Sequence, residues 1–331
     1  MVEAFGPGAV VRRAWAVNRP LAGAGGVLGL ITLAALVGLV VDPSRITGQA
    51  AWAKPARFAF SFALYAVTLL WLLTFVRGHR RLVRLISWVT AVAVVAEVLW
   101  VVRAAAAGTT SHFNFGSDFA GALTVTMLVV ISVAALLALV TIVLLLLQRI
   151  EPPALAWALW LGLALAVVGM AVGVPMIAAP TPAQEVAADL GQGMPVVGAH
   201  TVGVADGGPG MPVTNFSTVG GDQRVAHFVG VHSLQALALL GLLLTLGPKT
   251  LGPRHRTALV WIAAATLLGL TAVFFWQAHR GQPVTAPDST TVAALIALAV
   301  GAAAATAAVF AHARTRTASV TGPGSGRRRG R

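Results

Sequence analysis

The sequence contains no cysteine. That excludes disulfides, cysteine zinc sites, thiolate-ligated haem and cysteine-held iron–sulfur clusters, and it says nothing about compartment. Charge is scarce too. Only 10% of the 331 residues are Asp, Glu, Lys or Arg, against roughly 25% in soluble domains. Acids are the rarer sign, ten against 23 basic residues. The signatures of soluble enzymes are also missing: there is no H-E-x-x-H, no P-loop and no G-x-S-x-G.

Apolar sequence fills the space. The chain is 57% hydrophobic with a mean hydropathy of +0.84. A run of about twenty apolar residues crosses a bilayer. Eight such runs cover 23–41, 56–76, 85–107, 119–148, 154–178, 226–247, 257–278 and 291–313. The expected fold is all-α, a polytopic transmembrane helix bundle of about eight spans. It forms a single domain over residues 1–318, followed by a disordered basic cytoplasmic tail over 319–331. The first run has no A-x-A-like cleavage site at the right distance and is expected to be a retained span. The fourth is long enough to tilt or to extend past the membrane.

A net charge of +13 raises the question of nucleic acid. The basic residues flank apolar runs instead, as orientation signals do. With the N-terminus cytoplasmic, 17 of the 23 basic residues lie on the inner side. They include Arg12, Arg13 and Arg19, the Arg77–Arg84 group, Arg149, Lys249, Arg254, Arg256 and Arg314 onward. Eight spans then put both termini inside. The expectation is a multi-pass protein of the plasma (inner) membrane whose partner is the lipid bilayer, with no nucleic acid partner.

Acids contribute little to topology. Yet Asp42, Glu97, Asp118, Glu185, Asp189, Asp206, Asp222 and Asp288 fall on the outer side or in outer halves of spans. So do His112, His200, His227, His232 and His279. This clustering predicts a polar site at the outer face. The long connector 179–225, rich in Gly and Pro, is a mobile external loop or a lid or binding loop, with a short helix expected over 182–190.

Titratable side chains inside apolar runs mark functional candidates. His227, His232 and Gln235 enter the sixth run. Five residues separate the two histidines, about 140° around a helix. A helical chelate wants i,i+3 or i,i+4, so they converge only if His227 sits on the cap. His232 and Gln235 share a face. Glu97 lies about ten residues, roughly 15 Å, below the outer end of the third run. A carboxylate there must be protonated, paired or bound to a cation, and pairing with the His232–Gln235 face is expected. The connector Gly108–Asp118 adds Ser111, His112, Asn114 and Asp118, with Ser117 or Asp118 as cap of the next span.

The candidate catalytic residues are therefore Glu97, His112 and His232. The candidate metal ligands are His112, His227, His232 and Glu97, for a divalent metal such as zinc that would activate water. Gln235, Arg103, Arg224 and Arg280 are candidate ligand-binding groups. The plain alternatives are caps, interhelical hydrogen bonds and simple ion pairs. Lys54, with Trp52 and Arg57 at the mouth of the second run, reads as a snorkelling interfacial residue. Together the candidates predict an outward-facing pocket between the third and sixth spans. The leading function is a metal-dependent membrane-embedded enzyme acting on a lipid-like substrate. A proton-coupled carrier of small solutes, a ligand-binding or sensor protein, and a haem or quinone redox protein are the alternatives.

A faint internal repeat accompanies this. Ala56-Arg-Phe-Ala-Phe-Ser opens the second run and Ala226-His-Phe-Val-Gly-Val the sixth, as a parallel 4+4 duplication would produce.

Four stretches resemble a family of bacterial polytopic membrane proteins to which no activity is attached: Trp52-Ala-Lys-Pro55, Gly108–Asn114, Asp206–Pro212 and Gly221–Gln235. The resemblance implies a membrane bundle and no chemistry. Ser111, His112, Asp118, His227 and His232 are also similar in type to the zinc-holding set of alkaline-ceramidase-like membrane hydrolases. The match departs from that group at His-x-x-x-x-His, where the group has His-x-x-x-His.

Overall fold

The computed structural model describes residues 7–178, 180–247 and 251–321. Lys249 and the tail from residue 322 lie outside these. Among the described residues, eight helices are long and apolar enough to cross a membrane, which makes the chain an all-α polytopic bundle. A short helix α1 (Pro7–Val17), not anticipated from the sequence, precedes them. The spans are α2 (Arg19–Val41), α3 (Ala53–Leu73), α4 (Arg80–Ala106), α5 (Asp118–Leu146), α6 (Pro153–Ala171), and then α9 (Gln223–Leu246), α10 (Pro253–His279) and α11 (Ser289–Thr321). Helix α11 continues through residues 319–321, which the sequence assigned to the tail.

Local chemistry sets the ends. Asn18 caps α2 and Ser117 caps α5 through side-chain oxygens, and Asp222 caps α9. Glycines in the left-handed region, Gly108 and Gly281, stop α4 and α10. The fifth span ends at Ala171, earlier than expected. A turn and the four-residue α7 (Pro175–Ala178) take its place. Proline at 175 has no N–H to continue the ladder. Helix α8 (Pro182–Asp189) occupies the segment expected to be a short helix, held by a Thr181–Gln184 capping box.

Two small antiparallel hairpins stand at one end of the bundle. The first pairs β1 (Arg45–Ile46) with β2 (Gln49–Ala50) around Thr47-Gly48, both at positive φ, a tight two-residue turn. The second pairs β3 (Thr201–Val202) with β4 (Gly221–Asp222). Each hairpin feeds a span, α3 or α9.

The neighbour relations run twice. Helix α2 packs on α3 and α4, α3 on α4, and α4 on α5; helix α6 packs on α9 and α10, α9 on α10, and α10 on α11. A hairpin sits between the first and second span of each set. This is the arrangement of a parallel 4+4 bundle. One core joins Leu21, Leu28, Leu69, Ile86 and Val98 of the first set. Others join Leu159, Leu163, Leu234 and Leu237 of α6 and α9, and reach Val260 of α10. The closest contact is between α6 and α9, where Gly169 meets Gly230 and Gly241 meets Ala158. In lipid, where apolar burial between helices drives little, such small-residue contact is what holds spans together.

Candidate functional site

The long connector and the hairpins gather at one end of the bundle around an open cavity of about 930 Å³. Its walls come from the β1–β2 hairpin, the first turn of α3, the last turns of α4, the connector after α4, residues 175–208 and the start of α9.

Helix α3 contributes Lys54. Its entry is fixed by Trp52, whose Nε1 donates to Asp42 Oδ2 at 2.7 Å and whose ring lies against Gly38, where a Cβ would come within 2.5 Å. The Lys54 ammonium lies 5.6 Å from the Phe58 ring centroid. It makes no hydrogen bond or ion pair among the described residues, although Arg57, Arg224, Glu97 and Asp206 are within coulombic reach. Arg57, one turn on, donates to the carbonyls of Val213 and Thr214 and to Gln49. It straps the tip of the long loop to α3.

The connector after α4 contributes Ser111 and His112. Trp100 Nε1 holds the Ser111 carbonyl at 2.9 Å. The His112 Nε2 lies 3.4 Å from Glu97 Oε1, and its Nδ1 lies 3.0 Å from the Ser111 hydroxyl. With Nε2–H turned to the carboxylate, Nδ1 accepts from the hydroxyl. Phe58 packs on this ring with centroids 5.4 Å apart. Burial pushes the His112 imidazole well below its ordinary pKa, and Lys54 and His200 push the same way. Glu97 is 6% exposed, and its Oε2 has no hydrogen-bond partner among the described residues.

The long loop contributes His200 and Asp206. Its backbone is sewn to the neighbouring connector by Val197 N to Phe113 O at 2.9 Å and to α7 by Ala199 N to Met176 O at 3.1 Å. Asp206 accepts from the His200 and Thr201 amides, from the Thr201 hydroxyl at 2.7 Å, and from His200 Nδ1 at 2.6 Å. Burial pushes this carboxyl up, but the bonds from His200 and Thr201 win and hold it below the usual range. His200 itself is lowered, by burial first, against the raising effect of Asp206. The two hairpin tips touch here. A Cβ on Gly48 would lie 2.5 Å from the Gly207 carbonyl oxygen.

Helix α9 contributes Gln223 and Arg224. Arg224 forks onto Asp222, with Nε to Oδ1 at 2.9 Å, and donates to Asn215 O. Gln223 is 5% exposed and its Oε1 has no partner. Lys54 and Arg224 stand at corresponding places in the two halves, each two residues before the matching Ala56-Arg-Phe and Ala226-His-Phe. Both line the cavity.

The structure thus brings together Glu97 and His112, and Arg224 lines the same cavity as His112. It does not bring the rest. His227 Nδ1 donates to Gly169 O at 2.8 Å between α6 and α9, and Gly173 leaves room for its ring. His232 stacks on Phe228, with ring centroids 6.1 Å apart. Arg103 lies over the Trp100 and Phe119 rings. Arg280 pairs with Asp288 and lies over Trp276. Among the described residues no three His, Asp or Glu side chains gather into a group that could hold a metal ion. The expected shared metal set of His112, His227, His232 and Glu97 is therefore not assembled. The reason is the helical angle: His227 and His232 leave α9 on different faces, the first to bond Gly169 O and the second to stack on Phe228.

Lys54, His200 and Asp206 line the cavity without being among the candidate site residues, although His200 and Asp206 belong to the outer-face group. Lys54 reads as an interfacial lysine by composition. His200 and Asp206 lie six apart in a Gly-rich loop, where no periodicity announces contact. The one available signal was Gly203, whose positive φ allows the return between them that brings the carboxylate back to His200.

Fold and span composition define an integral, multi-pass membrane protein in a lipid bilayer. No protein-family model, curated protein or solved structure matches the chain.

Proposed function

We propose that the cavity at the loop end receives an amphiphile, with an anionic head against Lys54 and Arg224 and an apolar body along the walls. One observation carries this: a lysine with neither ion pair nor hydrogen bond among the described residues opens onto a large cavity lined by Ala, Val and Pro beside Thr, Gln and Gly. A cation kept from its own carboxylates is poised for an external one. Arg224, balanced by Asp222, adds direction more than net charge. The lipid-like ligand fits the membrane setting, since the walls include the last turns of α4. The positive-inside bias supports reading this end as outside the plasma membrane, with the Arg-rich turns in the cytoplasm.

The reading is tested on protein in neutral detergent, by titration with decyl phosphate and with decyl maltoside as the uncharged control. The phosphate is expected to bind and the control to bind far less. Lys54→Gln should weaken phosphate binding about tenfold, or about 1.4 kcal/mol. Equal binding of both amphiphiles, or an unchanged affinity in Lys54→Gln, would contradict it.

A further inference from the structure

His200 and Asp206 form a second constellation in the same cavity, distinct from the Glu97–His112 pair. Asp206 takes the His200 Nδ1–H and is itself held by three further donors, the His200 and Thr201 amides and the Thr201 hydroxyl. A carboxylate on Nδ1 fixes the tautomer, so the lone pair lies on Nε2. That nitrogen has no partner among the described residues, and the residue lines the cavity. The Phe113 ring meets the His200 ring edge-on, with centroids 4.8 Å apart, and fixes the imidazole plane. His112 differs: both of its nitrogens are engaged, by Ser111 and Glu97.

We propose that His200, oriented by Asp206, is the general base of a hydrolytic site whose substrate is an anionic phosphodiester of a lipid-like alcohol. The assignment rests on the cavity being the anion site proposed above. The group held by the cations is then the group within reach of Nε2, which makes a charged phosphoester a better fit than a neutral carboxylic ester. In the reaction, Nε2 takes a proton from water as its oxygen bonds to phosphorus. The P–O bond to one alcohol breaks, and the imidazolium returns the proton to the departing oxygen. The products are a phosphomonoester and an alcohol, with no redox change. Lys54 offsets charge on the phosphoryl oxygens as the leaving group departs. Asp206 is a positioning residue.

The test uses full-length protein in neutral detergent with decyl 4-nitrophenyl phosphate as substrate and decyl phosphate as the binding probe. Asp206→Asn is the informative variant. Its amide oxygen can still accept from the backbone N–H groups, while its NH2 faces Nδ1 and forces the proton onto Nε2. Nitrophenolate release is expected to fall by about a hundredfold or more, with decyl phosphate affinity within about threefold of the parent. His200→Gln should do the same. Unchanged release in Asp206→Asn would overturn the base assignment. Binding of decyl phosphate by the parent protein with no release above the uncatalysed rate would overturn the hydrolytic activity and leave the anion site standing. Failure of the parent to bind decyl phosphate would remove both.

Discussion

The contact between α6 and α9 offers the sharpest test of how this bundle is held together. A Cβ built on Gly169 lies 2.2 Å from Val231 N and 2.4 Å from Gly230 C. Both are backbone atoms of the facing helix, so no side chain can swing aside. Ordinary carbon contact needs about 3.5 Å, so in Gly169→Ala the two helices must part by about 1 Å at this level. Overpacking of this kind costs about 1–3 kcal/mol. The His227 bond to Gly169 O, 2.8 Å in the parent, would stretch as well, and such an interhelical bond is worth about 0.6 kcal/mol in a bilayer protein. A total near 2–3 kcal/mol is expected, against a helix-propensity gain of about 1 kcal/mol for replacing glycine by alanine. Gly29→Ala is the control. It lies in α2 with nothing within 4 Å of the added Cβ, so only the gain applies. The assay is thermal or denaturant unfolding in one detergent, followed by tryptophan fluorescence. Gly169→Ala is expected to unfold more easily and Gly29→Ala to match or exceed the parent. Equal stability of the two variants would refute the claim that backbone contact holds α6 to α9.

Two further outcomes follow from the loop end. Asp222 is 2% exposed and carries Arg224, the Ser217 amide and the cap of α9. Asp222→Ala strands a partly buried guanidinium and should cost about 3–5 kcal/mol, read as a lower unfolding midpoint; a loss below about 0.5 kcal/mol, the ordinary range for surface changes, would show the pair to be dispensable. The pH dependence has a definite sign. Burial depresses both His112 and His200 in the folded protein, so the unfolded chain binds more protons as pH falls below the ordinary histidine value of 6.5. The stability these neutral rings allow is full above that pH and is lost as pH falls through their folded values. Asp206, also depressed, adds to the loss only below its ordinary 3.8. Proteolysis of the long loop should accelerate from pH 6.5 downward, less so in His200→Gln; a rate flat to pH 4 would contradict the burial of these rings.

Legibility in the sequence differed by element. The spans were plain because membrane length forces about twenty apolar residues into each, and the polar connectors stood out between them. Span ends shifted where capping chemistry decided, as at Asn18 and Ala171. Glu97 and His112 were both singled out, but Glu97 was expected to meet the His232–Gln235 face. The connector after α4 folds back instead, and it delivers His112 to Glu97. His227 and His232 stand out as polar residues in an apolar run; the first bonds Gly169 O and the second stacks on Phe228. Lys54 was readable only as a boundary lysine, because a missing ion-pair partner is invisible without the positions of Asp206, Asp222 and Glu97.

The sequence by itself determined the class: an all-α, multi-pass membrane bundle with basic turns at one end and acids, histidines and a long loop at the other. Length and hydropathy are local properties, and local properties suffice for that. Only the tertiary structure decided which polar groups share a space. Lys54, His112, His200, Asp206 and Arg224 are spread over 171 positions of the chain, and they meet because two hairpins and two pairs of helices bring their ends around one cavity. Such convergence depends on helix rotation and loop return, which no single stretch of residues encodes. The pair of histidines in α9 shows the converse: five positions apart in sequence, they are separated by the turn of the helix that carries them.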